Sequence, residues 1–194
     1  MRESVFPIPS FGSLEFYANV LASEGVRFAN EEKLSKQNKR NRYLIPGPNK
    51  VQTLTIPIKK PFNGVPLNEI QISNAEDWQK LHWHTLLTAY GKSPFFEFYD
   101  YKLEKLYKRQ YDHLLNFNMD AMEFCLQALK TDLTFETATN PSVTNEFKEY
   151  NLQPYIQVFS EKFGFVKEVC VLDAIFNLGP DAGSYLAEAT AFSS

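Results

Sequence analysis

His82 and His84 stand two residues apart in "WQKLHWHTLLTAYGKSPFF", residues 78–96, among two tryptophans and a tyrosine. An imidazole titrates near neutrality, so either ring has the chemistry of a general acid or base. On a helix each residue advances by about 100°, which sets the two rings on opposite sides. They cannot share a metal ion, because ligation from one helix needs an i, i+4 pair on one face. His84 falls with Lys80 on the polar side and is expected in solvent. His82 falls with Trp78, Leu81, Leu86 and Ala89 on the apolar side, where a histidine is either a hydrogen-bonded core residue or a base lining a site. His113 has no second ligand near it in sequence and is expected at the surface.

A second candidate is "KLSKQNKRNR", which carries Lys33, Lys36, Lys39, Arg40 and Arg42. It reads either as a solvated loop or as an anion clamp in which arginine presents its planar fork to a phosphate or carboxylate. Nucleic acid is not the expected partner: the chain carries a net charge of −3, and no aromatics interleave the cations. A small anionic ligand is. The glycine-rich phosphate loops, the nucleophile elbow, HExxH, CxxC and calcium-loop patterns are all missing from the sequence. Cys125 and Cys170 are too few for a disulfide framework or a zinc site, so reduced thiols in a cytoplasmic protein are expected, with no metal and no cofactor. "MRESVFPIPSFG" lacks the apolar stretch of a signal peptide. No apolar run approaches the roughly 18 to 20 residues of a spanning helix, so membrane insertion is not expected.

The elements that must position these groups follow from periodicity. The 194 residues suit one domain spanning 1–194. The 17 Phe and 10 Tyr point first to ring-packed core. "SVFPIPS" is extended by its prolines, "GSLEFYANVLASEG" predicts a helix capped by Ser13, and "VRFA" a strand. The basic stretch is read as loop up to a turn at "PGPN". "VQTLTIPI" and "LNEIQIS" alternate as strands. The helix carrying His82 stops at Gly91, and Pro94 opens another. Residues 97–130 predict a long helical region broken near Asn116–Asn118. "LTFETA" and "YIQVF" read as strands around a long irregular loop, and two helices, "VCVLDAIFNL" and "PDAGSYLAEA", close the chain. The fold class is α/β: a small mixed β-sheet packed with several α-helices.

Three stretches taken together, "RNRYLIPGPNKVQTLTIPI" with Lys36 before it, "W…HW…AYGKSPFF", and "YIQVF…FGF…VLDAIFNLGP", resemble the WbqC-like family of bacteria. The chain is most similar to the short form of Bacteroidetes-type bacteria, which lacks the Gly-Gly-x-x-Tyr-type block of longer members. Family motif positions map to Lys36, Asn41 and Arg42, to Trp78, His82, Tyr90, Pro94 and Phe96, and to Tyr155, Gln157, Phe159, Asp173 and Asn177. Departures are Asn30 and Glu31 in place of paired acids, "FPIPSFG" in place of a Gln-Pro opening, and Cys170 in place of serine. The resemblance implies a role in surface-polysaccharide synthesis, O-antigen above all, as a transferase acting on a nucleotide-linked amino sugar. The alternative is a non-catalytic binding or scaffold protein of the same pathway. Under the first reading His82 is the base; Lys36, Asn41 and Arg42 bind the anionic part of the ligand; and Tyr90, Tyr155 and Gln157 line the site. Homo-oligomer formation is left open.

Overall fold

The computed structural model describes residues 4–38, 40–133, 136–138 and 147–191. Lys39 lies outside them, as do Thr134 and Phe135 of the expected "LTFETA" strand and much of the expected long loop. The chain opens with β1 (Ser4–Pro7), α1 (Leu14–Leu21) and β2 (Val26–Ala29), and β1 and β2 pair in parallel. Ser13 caps α1 as expected, its side chain accepting from the Phe16 amide at 3.1 Å. The parallel connection requires a crossover, and α1 supplies it.

β3 (Arg42–Gly47) and β4 (Lys50–Thr55) form an antiparallel hairpin in which Arg42 pairs with Thr55 and Tyr43 with Leu54. The strand therefore starts well before the "PGPN" turn, inside the stretch read as loop. Tyr43 and Ile45 are buried while Arg42 and Leu44 are half-buried, the alternation of a strand with one face on the core. "LNEIQIS" is a correction. Leu67–Glu69 form a 3-10 turn, and only single bridges, Ile58 to Ile72 and Gln71 to His113, continue it.

α2 (Trp78–Tyr90), α3 (Phe96–Lys108) and α4 (Leu114–Ala128) follow. Asp77 caps α2, accepting from the Lys80 amide at 3.2 Å. Its buried stripe is Trp78, His82, Leu86, Ala89 and Tyr90. Leu81, expected on that stripe, is 64% exposed. At about 100° per residue it lies a quarter-turn or more from the stripe's centre, so the register admits His82 and excludes Leu81. The break in the long helical region falls at Arg109–His113, not at Asn116–Asn118. Asn118 is fully buried inside α4 because its side-chain amide has long-range work: it donates to the carbonyls of Ile8 at 2.9 Å and Arg40 at 3.0 Å.

β5 (Thr137–Ala138) adds to β2 in parallel, completing the order β1-β2-β5. β6 (Tyr150–Asn151), α5 (Ser160–Phe163), α6 (Leu172–Leu178), α7 (Ala182–Ala187) and β7 (Thr190–Ala191) end the described chain, with β6 and β7 antiparallel. The "YIQVF" segment belongs to no strand and runs into a turn at Val158 and Phe159. The fold is α/β, and its parallel and antiparallel pairings reside in separate small sheets. Among the described residues no helix is long and apolar enough to cross a membrane.

Candidate functional site

His82 is 2% exposed, packed edge-on against Trp78 and Tyr43 with ring centroids 5.2 and 5.5 Å away. Its Nδ1 lies 3.0 Å from the Tyr43 hydroxyl, which in turn lies 2.6 Å from the Tyr107 hydroxyl. Burial lowers the imidazole pKa to about 4, although a hydrogen bond to the Thr55 backbone favours the protonated ring. The ring is therefore neutral at pH 7. With its donor used on the Thr55 backbone, Nδ1 is the acceptor for Tyr43, and Tyr43 can accept from Tyr107. His82 is the end of a buried chain of three side chains joining α2, β3 and α3.

Arg42 neighbours Tyr43 on β3, so the pleat sends its side chain to the opposite face of the hairpin. It forms no ion pair among the described residues. Asn41 spends its amide on the Ile56 carbonyl at 2.9 Å, and Arg40 is held by Glu32 at 2.7 Å. Lys36 is exposed in a turn. The structure thus separates His82 from the cationic residues. His84 is exposed as expected, and His113 is half-buried at the start of α4.

Tyr90, Tyr155 and Gln157, by contrast, converge. Their common point is Asp173, fully buried on the first turn of α6. Asp173 Oδ1 accepts from Tyr155 Oη at 2.6 Å and from Gln157 Nε2 at 2.8 Å. Gln157 also binds both backbone groups of Val166, accepting at 2.7 Å and donating at 3.0 Å, which fixes its amide orientation. Tyr90 meets the same carboxyl group both electrostatically and through its hydroxyl, in a side-chain contact looser than the close hydrogen bonds of Tyr155 and Gln157. Ser93 Oγ is buried nearby in sequence without a close hydrogen-bond partner. Desolvation raises the pKa of Asp173 and outweighs the four side chains, Tyr155 first, that favour its anion. The same burial and the nearby carboxylate push both Tyr90 and Tyr155 up, so these phenols remain donors.

Next to this carboxyl group lies a cavity of about 580 Å³, larger than others of about 430, 300 and 250 Å³. Lys92, Ser93, Ile156, Gln157, Glu161 and Asn177 are among its walls. The volume is in the range of small-molecule sites. α2 delivers Lys92 and Ser93 just past its Gly91 end, α6 delivers Asn177, and the irregular 152–157 segment delivers Gln157. Asn177 is tied back to the Asp173 carbonyl at 2.8 Å, which links the cavity wall to the residue that bears the buried carboxyl group. The sequence placed Tyr90, Tyr155 and Gln157 in the site, marked Asp173 and Asn177 only as family motif positions, and left out Lys92 and Ser93. The signal for Lys92 and Ser93 was the polar "GKS" interrupting two apolar helices. Among the described residues no three His, Cys, Asp or Glu side chains cluster where they could share a metal ion.

A family model described as the WbqC-like protein family matches residues 9–146, a span that holds Tyr90, Lys92 and Ser93 and ends before Tyr155. Neither the curated proteins nor the solved structures contain a match to the chain.

Proposed function

The chain belongs to the WbqC-like protein family, and from that premise we propose that it handles a nucleotide-linked amino sugar in surface-polysaccharide (O-antigen) synthesis, bound in the cavity beside Asp173. The observation that carries this reading is the convergence of Tyr90, Tyr155 and Gln157 on one buried carboxyl group, which Gln157 and Asn177 connect to the wall of a sugar-sized cavity. The walls bear one cation, Lys92, and one carboxylate, Glu161. A nucleotide-linked amino sugar bears the complementary pair: a diphosphate for the lysine and an amine for the glutamate. Ser93 and Asn177 add hydroxyl and amide groups suited to sugar hydroxyls.

Transfer of an acyl or aminoacyl group to that amine is the activity in keeping with the family resemblance. In this reading His82 is an anchor and not the base, since a sealed ring with a pKa of about 4 meets no substrate. Titration calorimetry with UDP-glucosamine, UDP-glucose and UDP tests the assignment. The expected order of affinity is UDP-glucosamine first, with Lys92→Ala weakening all three and Glu161→Gln weakening UDP-glucosamine alone. Equal binding by wild type and both variants, or none by wild type, contradicts it.

A non-catalytic scaffold of the same pathway is the second reading. It is favoured by large apolar side chains left exposed on α2 and α3, Leu81 and Phe98 (70% exposed) among them. Sedimentation velocity of the wild type and of Leu81→Ser with Phe98→Ser distinguishes it: this reading expects self-association that the double variant abolishes.

A further inference from the structure

The polar walls of the cavity beside Gln157 have already spent much of their hydrogen-bonding capacity. Gln157 accepts from the Val166 amide and donates to the Val166 carbonyl and to Asp173 Oδ1, which uses both of its N–H groups. Ser160 donates its hydroxyl to the Gln157 carbonyl at 2.8 Å. Neither residue has a donor left for a ligand. Asn177 is different. Its Nδ2 donates to the Asp173 carbonyl at 2.8 Å, and its side chain also favours the Asp173 anion, so the nitrogen faces Asp173. A carbonyl oxygen only accepts, which fixes the amide orientation and leaves Asn177 Oδ1 as the unspent end. Glu161 stands exposed on the first turn of α5, with no hydrogen bond or ion pair among the described residues. The cavity therefore offers two acceptors, one of them charged, together with the cation Lys92.

We propose that Glu161 and Asn177 Oδ1 together read a primary ammonium group, so that the cavity takes a sugar whose amine is free and rejects the same sugar once it is N-acylated. The inference rests on the amino-sugar reading above and adds Asn177 as a second residue that sets specificity. An ammonium brings three donors and a positive charge, enough for both acceptors. A hydroxyl or an acylated nitrogen brings one donor and no charge. The two acceptors come from different elements, α5 and α6, and the chain holds both in place. Asn177 is anchored to Asp173 one helical turn back. The loop carrying Glu161 is pinned at its base, where Gln157 clasps Val166, and near its tip, where Lys162 donates to the Pro48 carbonyl at 2.8 Å. Gln157 is thus a positioning residue, while Glu161 and Asn177 meet the ligand. Such a ligand is supplied by amination of a sugar carbon, and the chain acts on it before any N-acylation.

The test is calorimetry on wild type, Asn177→Ala and Glu161→Gln with UDP-glucosamine, UDP-N-acetylglucosamine and UDP, below the pKa of the sugar amine. The wild type is expected to prefer UDP-glucosamine to its N-acetyl form by about tenfold or more. Asn177→Ala should lower UDP-glucosamine affinity by about fivefold or more with UDP binding unchanged. Glu161 is exposed, so Glu161→Gln puts no fold at risk, and the same selective loss is expected. The wild-type preference should fade as pH rises through the amine pKa, while UDP binding does not follow it. Equal wild-type affinity for the two sugars overturns the inference and leaves the nucleotide reading standing. So does a loss in Asn177→Ala that is equal for UDP and UDP-glucosamine, which marks a purely structural residue. If UDP fails to bind, free glucosamine and N-acetylglucosamine separate the two ideas. An Asn177-dependent preference for glucosamine keeps the ammonium site and removes the nucleotide, whereas no binding by any probe removes both.

Discussion

Tyr43 and Arg42 are consecutive residues of β3, and they divide the sequence's two candidate sites between opposite faces of one hairpin. The Tyr43 hydroxyl reaches inward to His82 Nδ1 at 3.0 Å, while the pleat turns Arg42 away from that ring. Cation and imidazole therefore do not look into a shared cavity. A cavity of about 580 Å³ lies instead at the far end of α2, past Tyr90.

The buried imidazole makes stability depend on pH. Its folded pKa of about 4 lies below the ordinary 6.5, so the unfolded chain binds the extra proton between those values. The His82 contribution is complete above pH 6.5 and is lost as pH falls toward 4, amounting to about 3 kcal/mol across the window. Urea denaturation at pH 7.0 and 4.5 should show this slope, and His82→Gln should flatten it. An unchanged slope in the variant contradicts a buried neutral ring.

Tyr43 is the middle of a chain of three polar side chains, so Tyr43→Phe leaves His82 Nδ1 and the Tyr107 hydroxyl with one partner fewer. A loss of about 1–3 kcal/mol is expected in chemical denaturation, larger than for Tyr107→Phe, which removes only the outer link. A double-mutant cycle between Tyr43→Phe and Tyr107→Phe should show coupling, and strict additivity would mean the bond contributes nothing.

Asp173 titrates in the other direction. Its folded pKa is raised, so the folded state holds the proton more tightly, and the associated stability is lost as pH rises through the raised value. Asp173→Asn preserves the acceptor for Tyr155 and Gln157 without a buried charge. It should melt at or above the wild-type temperature at pH 7.5, whereas Asp173→Ala should lose about 1–3 kcal/mol by stranding both donors. A melting temperature for Asp173→Asn well below the wild type would mean the ionised form is structurally required.

Gly179 joins α6 to the next turn with φ of 56°, and a Cβ there would strike the Phe95 ring. Gly179→Ala is expected to destabilise by at least about 1 kcal/mol from backbone strain alone, with displacement of Phe95 adding to it. Thermal unfolding checks this. Because Phe95 stands just after Ser93 and Pro94, ligand affinity should fall with stability in this variant.

What the sequence made legible was mostly local. The i, i+4 spacing of Trp78, His82 and Leu86 placed His82 inward, and Ser13 marked the start of α1 correctly. Leu81 was misplaced because apolarity says nothing about which edge of a helix finds a neighbour. Asn118 read as a helix breaker because its propensity is visible in sequence, while its bonds to Ile8 and Arg40, which hold it in a buried helix, are not. The site shows the same divide. Tyr90, Tyr155 and Gln157 were named individually, but their meeting at Asp173 depends on packing between segments far apart in the chain. The basic stretch was conspicuous in composition, yet Arg40 and Asn41 spend their polar groups on Glu32 and the Ile56 carbonyl.

The most direct test of the central claim is an NMR titration of the full chain with UDP-glucosamine, following the side-chain amides of Gln157 and Asn177 and the backbone amides of Lys92 and Ser93. The account predicts that these four resonances shift together with one saturation curve, while the Asn41 side chain and the Arg42 amide stay in place. Shifts confined to Lys36, Asn41 and Arg42, with the four resonances unmoved at saturation, would place the ligand outside the cavity and contradict it.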